Sequence, residues 1–527
     1  MAIGFLEAMA LGPKNLVYKK MDLGAHWLIT VQFWFSDNTK MTLKDNIATD
    51  FIQKLRRACP HIIEDEARMR VYESDGLTAK RMLPRYVALP ETSKQVQAIV
   101  SLCYDANIPL VARGAGTGLS GGAMPHKDGV LMSLAKFNRI VDVDRKNLLA
   151  RVEPGVTNLS ISQHVESQGL YYAPDPSSQI ACTIGGNVAE NSGGVHCLKY
   201  GLTVHNVRQL KMISPEGELY TLGSTAFDSE GFDLLALMHG SEGMLGIVIE
   251  ITVDLLPKPD DIIVVLAGFS SIKEAGYAVS KIISGGLLPA GLELMDRLAI
   301  EAAEDFVHAG YPLDVEAILL CELDGNHYEV EEQLLLLQAI LASSIKGDLQ
   351  IARDEKSRGK LWLGRKAAFP AVGRLAPDYY CMDGTIPKRE LGAALEIISD
   401  LSKVYHLPVA NVFHAGDGNL HPLILFDANI PGQLEDAESL GADILEMCIN
   451  KGGTITGEHG VGVEKIDQMC IQFAPLELAL FHGIKSVFDH KGFFNPGKAV
   501  PTLNRCAEFG AMHIIRGKEK HQNLERF

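Results

Sequence analysis

The chain is short of cysteine pairs. Nine cysteines stand at 59, 103, 182, 197, 321, 381, 448, 470 and 506 of 527 residues, and no two make a C-x-x-C. That spacing offers no ligand set for an iron–sulfur cluster or a structural zinc, and it marks no disulfide framework, so a reducing compartment is expected. Positive charge is scarce too: 49 Lys and Arg face 65 Asp and Glu, a formal net charge of −16. A nucleic-acid partner needs a basic face, so that class is set aside. A small anionic substrate is not excluded, because a local pocket decides that. No apolar run reaches the ~18 residues that span a bilayer. Glu7 interrupts the short apolar stretch near the N-terminus, which breaks a signal-peptide pattern. Tryptophan occurs three times, twice within His26–Phe35, and residues 1–40 read as an atypical added segment.

What the chain has is glycine in clusters. Arg113 to Pro125, RGAGTGLSGGAMP, holds five glycines among thirteen residues and no acid. Backbone N–H groups freed by glycine can turn toward a phosphate, so a diphosphate-bearing cofactor held by main chain is expected here. Gly116-x-Gly118-x-x-Gly121 matches the dinucleotide fingerprint in letters only. That fingerprint must open a helix, whereas Pro125 and the apolar run Val130–Leu134 announce a turn and a strand. No Gly-Lys-Ser/Thr follows, so the P-loop reading fails as well. A second glycine-rich stretch runs from Thr183 to Gly194, preceded by Pro174-Asp-Pro-Ser-Ser178. A third, Gly240–Gly246, leads into the strand pattern Ile247–Val253. Such loops suit a planar ring lying against backbone.

Local signals give the frame. Thr92-Ser-Lys-Gln95 is a capping-box start, and Val96, Ile99, Val100 and Cys103 follow at helical spacing, ending at Asn107. Ile262–Ala267 and Ala317–Glu322 read as buried strands, Ser271–Ile283 and Val330–Ala342 as helices packed on one side of a sheet. Three later stretches concentrate ionisable residues. Leu361-Trp-Leu-Gly-Arg-Lys366 offers Arg365, whose fork suits a carboxylate. Asn411–Pro422 places His414 and His421 on either side of an Asp417-Gly418 turn, and Thr454–Gly460 carries Glu458 and His459. Two imidazoles and a carboxylate are a plausible divalent-metal set, although turn histidines are more often structural.

The glycine-rich stretches resemble the FAD-binding domain of the vanillyl-alcohol oxidase superfamily. Tyr171–Ser178, Val195–Asn206, Pro377–Pro387 and the tail segments Arg505–His513 and Leu524–Phe527 resemble the FAD-linked D subunits of bacterial glycolate oxidases. The resemblance covers about residue 41 to the C-terminus. It implies an α+β fold: a PCMH-type FAD domain over 41–258, an antiparallel-sheet-and-helix cap over 259–455, catalytic loop and helices over 456–500 that return to the FAD domain, and a tail over 501–527.

The resemblance further implies cofactor contacts from Arg113, Gly114, Gly116, Thr117, Gly118, Ser120, Gly121, Gly122, Pro174, Asp175, Ser178, Gly185, Gly186, Asn187, Glu190, Asn191, Gly246 and Lys498. The loop lacks His and Cys, so the FAD is expected to be noncovalent. His414, His421 and Glu458 would hold a zinc, manganese or iron ion, His459 would be the general base, and Arg365 would grip the substrate carboxylate. Two departures from relatives bear on that grip: Leu423 stands where several have asparagine, and Cys381 stands near a missing lysine. The implied activity is oxidation of glycolate to glyoxylate, with a second flavoprotein subunit and an iron–sulfur subunit as partners. The implied location is cytoplasmic, held at the inner face of the membrane through those partners. Alternatives are a D-lactate or other D-2-hydroxyacid dehydrogenase, a flavin-carrying subunit without chemistry, and a metal-dependent hydrolase.

Overall fold

A computed structural model describes residues 50–226 and 231–502. Residues 50–58 are helical and close a first compact unit that ends at Ala58; a second begins at Cys59. The readings of residues 1–40 and of the tail at 505–527 lie outside the described residues.

The second unit opens with a small sheet. Strands β1 (Ile62–Ile63) and β2 (Tyr86–Ala88) are followed by helix α1 (Ser93–Ala106), then β3 (Leu110–Arg113) and β4 (Val130–Ser133), in the order β1-β2-β4-β3. Both β2 and β3 run parallel to β4. Helix α1 starts and stops where its sequence says. Thr92 Oγ1 accepts from the Gln95 N–H at 3.3 Å, and Asn107 ends it in the left-handed region at φ 52. The return arm of the cap comes from Glu91, whose N–H donates to Gln95 Oε1 at 2.6 Å.

A five-stranded antiparallel sheet follows, from β5 (Ile140–Asp144), β6 (Leu149–Val152), β7 (Val207–Ile213), β8 (Leu219–Gly223) and β9 (Ile247–Asp254), in the order β5-β6-β9-β7-β8. The short helix α2 (Ile184–Glu190) buries Ile184 and Val188 in the same core as Ile251 and Leu210. A third sheet has seven antiparallel strands: β10 (Asp261–Phe269), β11 (Gly291–Asp296), β12 (Ala317–Gly325), β13 (Gln350–Ala352), β14 (Asp378–Cys381), β15 (Val409–Phe413) and β16 (Pro422–Phe426). Their order is β13-β10-β12-β11-β15-β16-β14.

The third sheet corrects one expectation. Helices cover both of its faces, not one. Ile263, Val265 and Ala267 of β10 join the core beneath the helices Ile272–Ser284 and His327–Leu341, while Val264 and Leu266 join the core with the helix Arg297–Val307. The reason is in the strand itself: an unbroken apolar run has no polar face to give to water.

The C-terminal part returns to the start of the unit. Beyond the helix Pro475–Phe488, the Leu110 N–H donates to the Phe493 carbonyl at 2.8 Å and the Asn495 N–H to the Leu110 carbonyl at 2.9 Å. Seven cysteines (59, 103, 182, 197, 321, 381 and 448) are buried free thiols. Cys470 is disulfide-bonded, a pairing that no cysteine spacing announced. Among the described residues no helix is long and apolar enough to cross a membrane.

Candidate active site

The site is a cavity of about 330 Å³ between the glycine-rich loops and the third sheet. Its floor is main chain. Gly114, Gly116, Thr117 and Gly118 line it, with Ser178, Gly186, Asn187 and Glu190. Gly116 takes φ +75, and a Cβ there would strike the Arg113 guanidinium at 2.2 Å. Gly118 and Gly186 face open space: an added Cβ would meet nothing nearer than Glu190 Oε1 at 3.9 Å or Thr183 Oγ1 at 3.5 Å. Arg113, Gly122, Gly185 and Gly246 line a smaller cavity of about 80 Å³, which shares Gly114, Gly186 and Glu190 with the larger one. Thr183 Oγ1 and Glu190 Oε2 on the lining are buried without hydrogen-bond partners, as is Ser120 Oγ behind it. Unpartnered polar atoms around a glycine-walled cavity suit a polar cofactor that the protein itself does not satisfy. Burial pushes the Glu190 carboxyl well above the usual range, and Glu242 nearby adds to this.

Some residues expected to touch a cofactor also have partners inside the chain. Asp175 Oδ2 pairs with His196 Nδ1 at 2.9 Å. The Pro174 carbonyl accepts from Asn158 Nδ2 at 3.0 Å. Asn191 ends α2 in the left-handed region, and its Oδ1 accepts from the Val204 N–H at 2.9 Å. Gly121, at φ +79, packs its open face on Val463. Lys498 Nζ donates to the Gly122 carbonyl at 2.9 Å and to that of Met124, clamping the glycine loop from the C-terminal segment. Each of these groups has a partner inside the chain because burial without one would be costly.

The opposite wall is made of side chains. His414 and His421 sit on either side of the turn that joins β15 to β16, which needs Gly418 at φ +88. Their rings lie 5.0 Å apart and nearly perpendicular. Glu458 Oε1 lies 3.4 Å from His414 Nε2 and 3.0 Å from His421 Nε2. One donor atom from each of the three falls within 4.8 Å of the others, a spacing a divalent ion could close. The His459 ring stacks on His421 at 4.9 Å, its Nε2 is 3.8 Å from Glu458 Oε1, and its buried Nδ1 has no partner. Burial brings His459 down to about 4, so its ring is neutral near pH 7. Burial opposes the charge on Glu458, yet hydrogen bonds from His414 and His421 hold its carboxyl well below the usual range.

Arg365 reaches this wall, but not as a free guanidinium. It ends the helix α3 (Glu355–Lys366), is 1% exposed, and places Nε 2.8 Å and Nη2 2.6 Å from Glu293 Oε2. A buried guanidinium without a counter-charge would be too costly, so β11 supplies one. Glu293 is shared, since His414 Nδ1 lies 2.9 Å from its Oε1. Burial opposes ionisation of Glu293, but His414 and Arg365 keep its carboxyl below the usual range.

Sequence reading passed over two groups that organise this wall. One is Glu293, in a strand with no motif. The other is Asp383, inside the quoted Pro377–Pro387 stretch but given no role. Asp383 is fully buried, and its Oδ2 accepts from Thr456 Oγ1 at 2.6 Å and from the N–H groups of Gly457, Glu458 and His459 at 3.0, 3.2 and 2.8 Å. It shapes the loop that carries Glu458 and His459.

Comparison with known proteins agrees with this architecture. Residues 84–223 match the model of the FAD binding domain, and residues 258–499 that of the C-terminal domain of FAD linked oxidases. The chain belongs to the FAD-linked oxidases. It is 57% identical over 487 residues to the glycolate oxidase subunit GlcD of Escherichia coli (strain K12), covering 92% of this chain and 98% of that one. A D-lactate dehydrogenase of Anaerostipes hadrus is 30% identical, covering 86% of this chain and 98% of that protein. The solved structure of p-cresol methylhydroxylase with substrate bound matches at a TM-score of 0.72 and 15% identity, over 86% of this chain and 97% of that one, which shows the fold alone. As an FAD-linked oxidase, the chain is an FAD-binding protein.

Proposed function

We propose that this chain oxidises glycolate to glyoxylate. The observation that carries the reading is the meeting of His421, Glu458 and His459 on the wall of the cavity that Gly114–Gly118 and Gly186 floor, with His414 buried behind them against Glu458. Relatives named as glycolate oxidase subunits support the substrate. FAD, bound without a covalent link, supplies the hydride acceptor for the α-carbon. His414, His421 and Glu458 fit a divalent ion, which would add Lewis-acid polarisation of the substrate oxygens. Glu293 on His414 Nδ1 and the Met382 carbonyl on His421 Nδ1 fix how the two rings are turned.

The chain's own steps follow from placement. His459, neutral and with Nδ1 unpaired, takes the proton of the substrate hydroxyl. Arg365 holds Glu293 beneath His414 and so positions it. The exposed ammonium on the cavity lining is Lys366, which meets the substrate carboxylate. Electrons then leave the chain. It has no clustered cysteines for a cluster of its own, and its relatives are named subunits, so we assign the acceptor to partner subunits, a second flavoprotein and an iron–sulfur protein.

The test is anaerobic. Purified chain is mixed with glycolate or with D-lactate, before and after chelation, and the flavin absorbance is followed. Bleaching by glycolate that chelation removes is the expected result. A flavin-bearing protein that no hydroxy acid bleaches, even with an added dye acceptor, overturns the reading. D-lactate is the second substrate to consider, given the relative from Anaerostipes hadrus, because one methyl group is worth only about 1–3 kcal/mol in a pocket.

A further inference from the structure

His421 belongs to two groups of donor atoms. The first is the set with His414 and Glu458. The second is Cys381, His421 and His459, whose Sγ and ring nitrogens also lie within 4.8 Å of one another. We propose that Cys381, His421 and His459 form a second, thiophilic metal site that binds zinc- or cadmium-class ions and shuts the enzyme down when filled.

The placement is built into the third sheet. Cys381 ends β14 and pairs across the ladder with Leu423 of β16, two residues from His421. The Met382 carbonyl gathers both groups: Cys381 Sγ donates to it at 3.4 Å, and His421 Nδ1 lies 3.3 Å away. His459 is stacked on His421 with 13° between the rings, held by its N–H to Asp383. Cys381 lies in a strand, His421 directly precedes one, and His459 is tied through its N–H to buried Asp383, so all three are held in place as a preorganised ion site needs. His459 Nδ1 is buried with no partner, so a lone ring position is available in this pocket without breaking any hydrogen bond.

The donor set chooses the ion. One thiolate and two imidazoles suit zinc and softer ions, whereas magnesium prefers carboxylate, carbonyl and water oxygen. A tetrahedral ion with bonds of about 2.0–2.3 Å needs donors roughly 3.5 Å apart, a small inward movement of these side chains. Binding forms a metal–sulfur bond and releases the thiol proton to solvent; no electrons move. A neutral imidazole has one lone pair to give, so His421 serves one ion at a time and the two sets compete. Filling the second set also occupies His459. The inhibition, though not the binding, rests on the reading of His459 as the base.

The experiment titrates the FAD-loaded chain with cadmium ion and records two signals: the ultraviolet thiolate-to-metal absorbance, and flavin bleaching by glycolate. The expected result is an absorbance that saturates at one ion, with bleaching lost in step. Cys381→Ser should remove the absorbance and raise the cadmium concentration needed for inhibition at least tenfold, while bleaching in the absence of cadmium stays within a few-fold. Magnesium ion at the same concentration should give neither signal. The proposal is overturned if wild type shows no saturable absorbance, or if Cys381→Ser keeps the absorbance or the same cadmium sensitivity. Should Cys381→Ser fail to fold, Cys381→Ala takes its place with the same two outcomes. The absorbance needs no substrate, so it decides the site even if no hydroxy acid bleaches the flavin. An absorbance lost in Cys381→Ser with wild-type bleaching untouched by cadmium keeps the binding site, overturns the inhibition and counts against His459 as the base.

Discussion

The two walls of the cavity are built by opposite means. The floor is one local stretch of main chain and a short neighbour, Gly114–Gly118 and Gly186, and its residues matter for what they lack. The opposite wall takes single side chains from five places: Glu293, Arg365, Asp383, the β15–β16 hairpin and the 456–459 loop. Buried partners hold most of it together, such as Arg365 with Glu293 and Asp383 with the His459 main-chain N–H. A floor of glycine tolerates change only toward nothing; a wall of paired charges fails when any one partner is lost. On the proposed function the floor binds and the wall does the chemistry, and mutations should separate the two.

The largest separation should come from His459→Ala. Loss of a positioned base costs about 10²–10⁴-fold in rate, while the floor keeps its flavin. Flavin content and glycolate-dependent bleaching measured on one sample give the answer; bleaching at the wild-type rate would remove His459 from the reaction. The converse is Gly118→Leu, which fills open floor near Glu190 and touches no paired charge. Flavin content after dialysis should fall at least tenfold with the unfolding midpoint little changed. A variant that keeps its flavin would show that the cofactor does not lie on this floor.

The smallest effect sharpens the boundary between the two means of construction. Lys498 is a side chain that serves the floor, and burial pulls it down to about 8 from 10.5. Below pH 8 the amine is charged in both folded and unfolded chains, and its burial penalty is fully present. Between pH 8 and 10.5 the unfolded chain binds more protons, so stability rises with pH, by up to about 3 kcal/mol across the window. Lys498→Met should remove that slope, as read from urea midpoints at several pH values. An unchanged slope would mean that the amine is not buried as the structure places it.

Much of this was legible before the structure. Helix α1, the β10 and β12 strands and the β15–β16 turn follow their local signals, because capping residues, apolar runs and turn glycines act within a few residues. The continuous apolar run of β10 even carried the sign that both faces are covered. Glu293 was not legible, since a single acid in an apolar strand has no local reason to be there; its reason is Arg365, 72 residues away. The pairing of Arg365 with Glu293 was not legible either, because sequence shows that an arginine can grip a carboxylate but not which carboxylates lie within its reach.

The sequence by itself determined the class of protein: a glycine-loop FAD-binding domain, an antiparallel cap, and two histidine-bearing loops that resemble those of 2-hydroxyacid oxidases. That class rests on the resemblance of these motifs to known relatives; only the helix starts, turns and strand runs beneath them are short-range, set by capping, backbone freedom and hydrophobic period over a few residues. Only the tertiary structure decided which donors meet. It put His421 in two sets at once, gave Arg365 to Glu293, and set Asp383 under the loop of Glu458 and His459. Such pairings span 72 to 121 residues, and they are fixed by the order in which seven strands lie side by side and by the cost of leaving any buried charge alone.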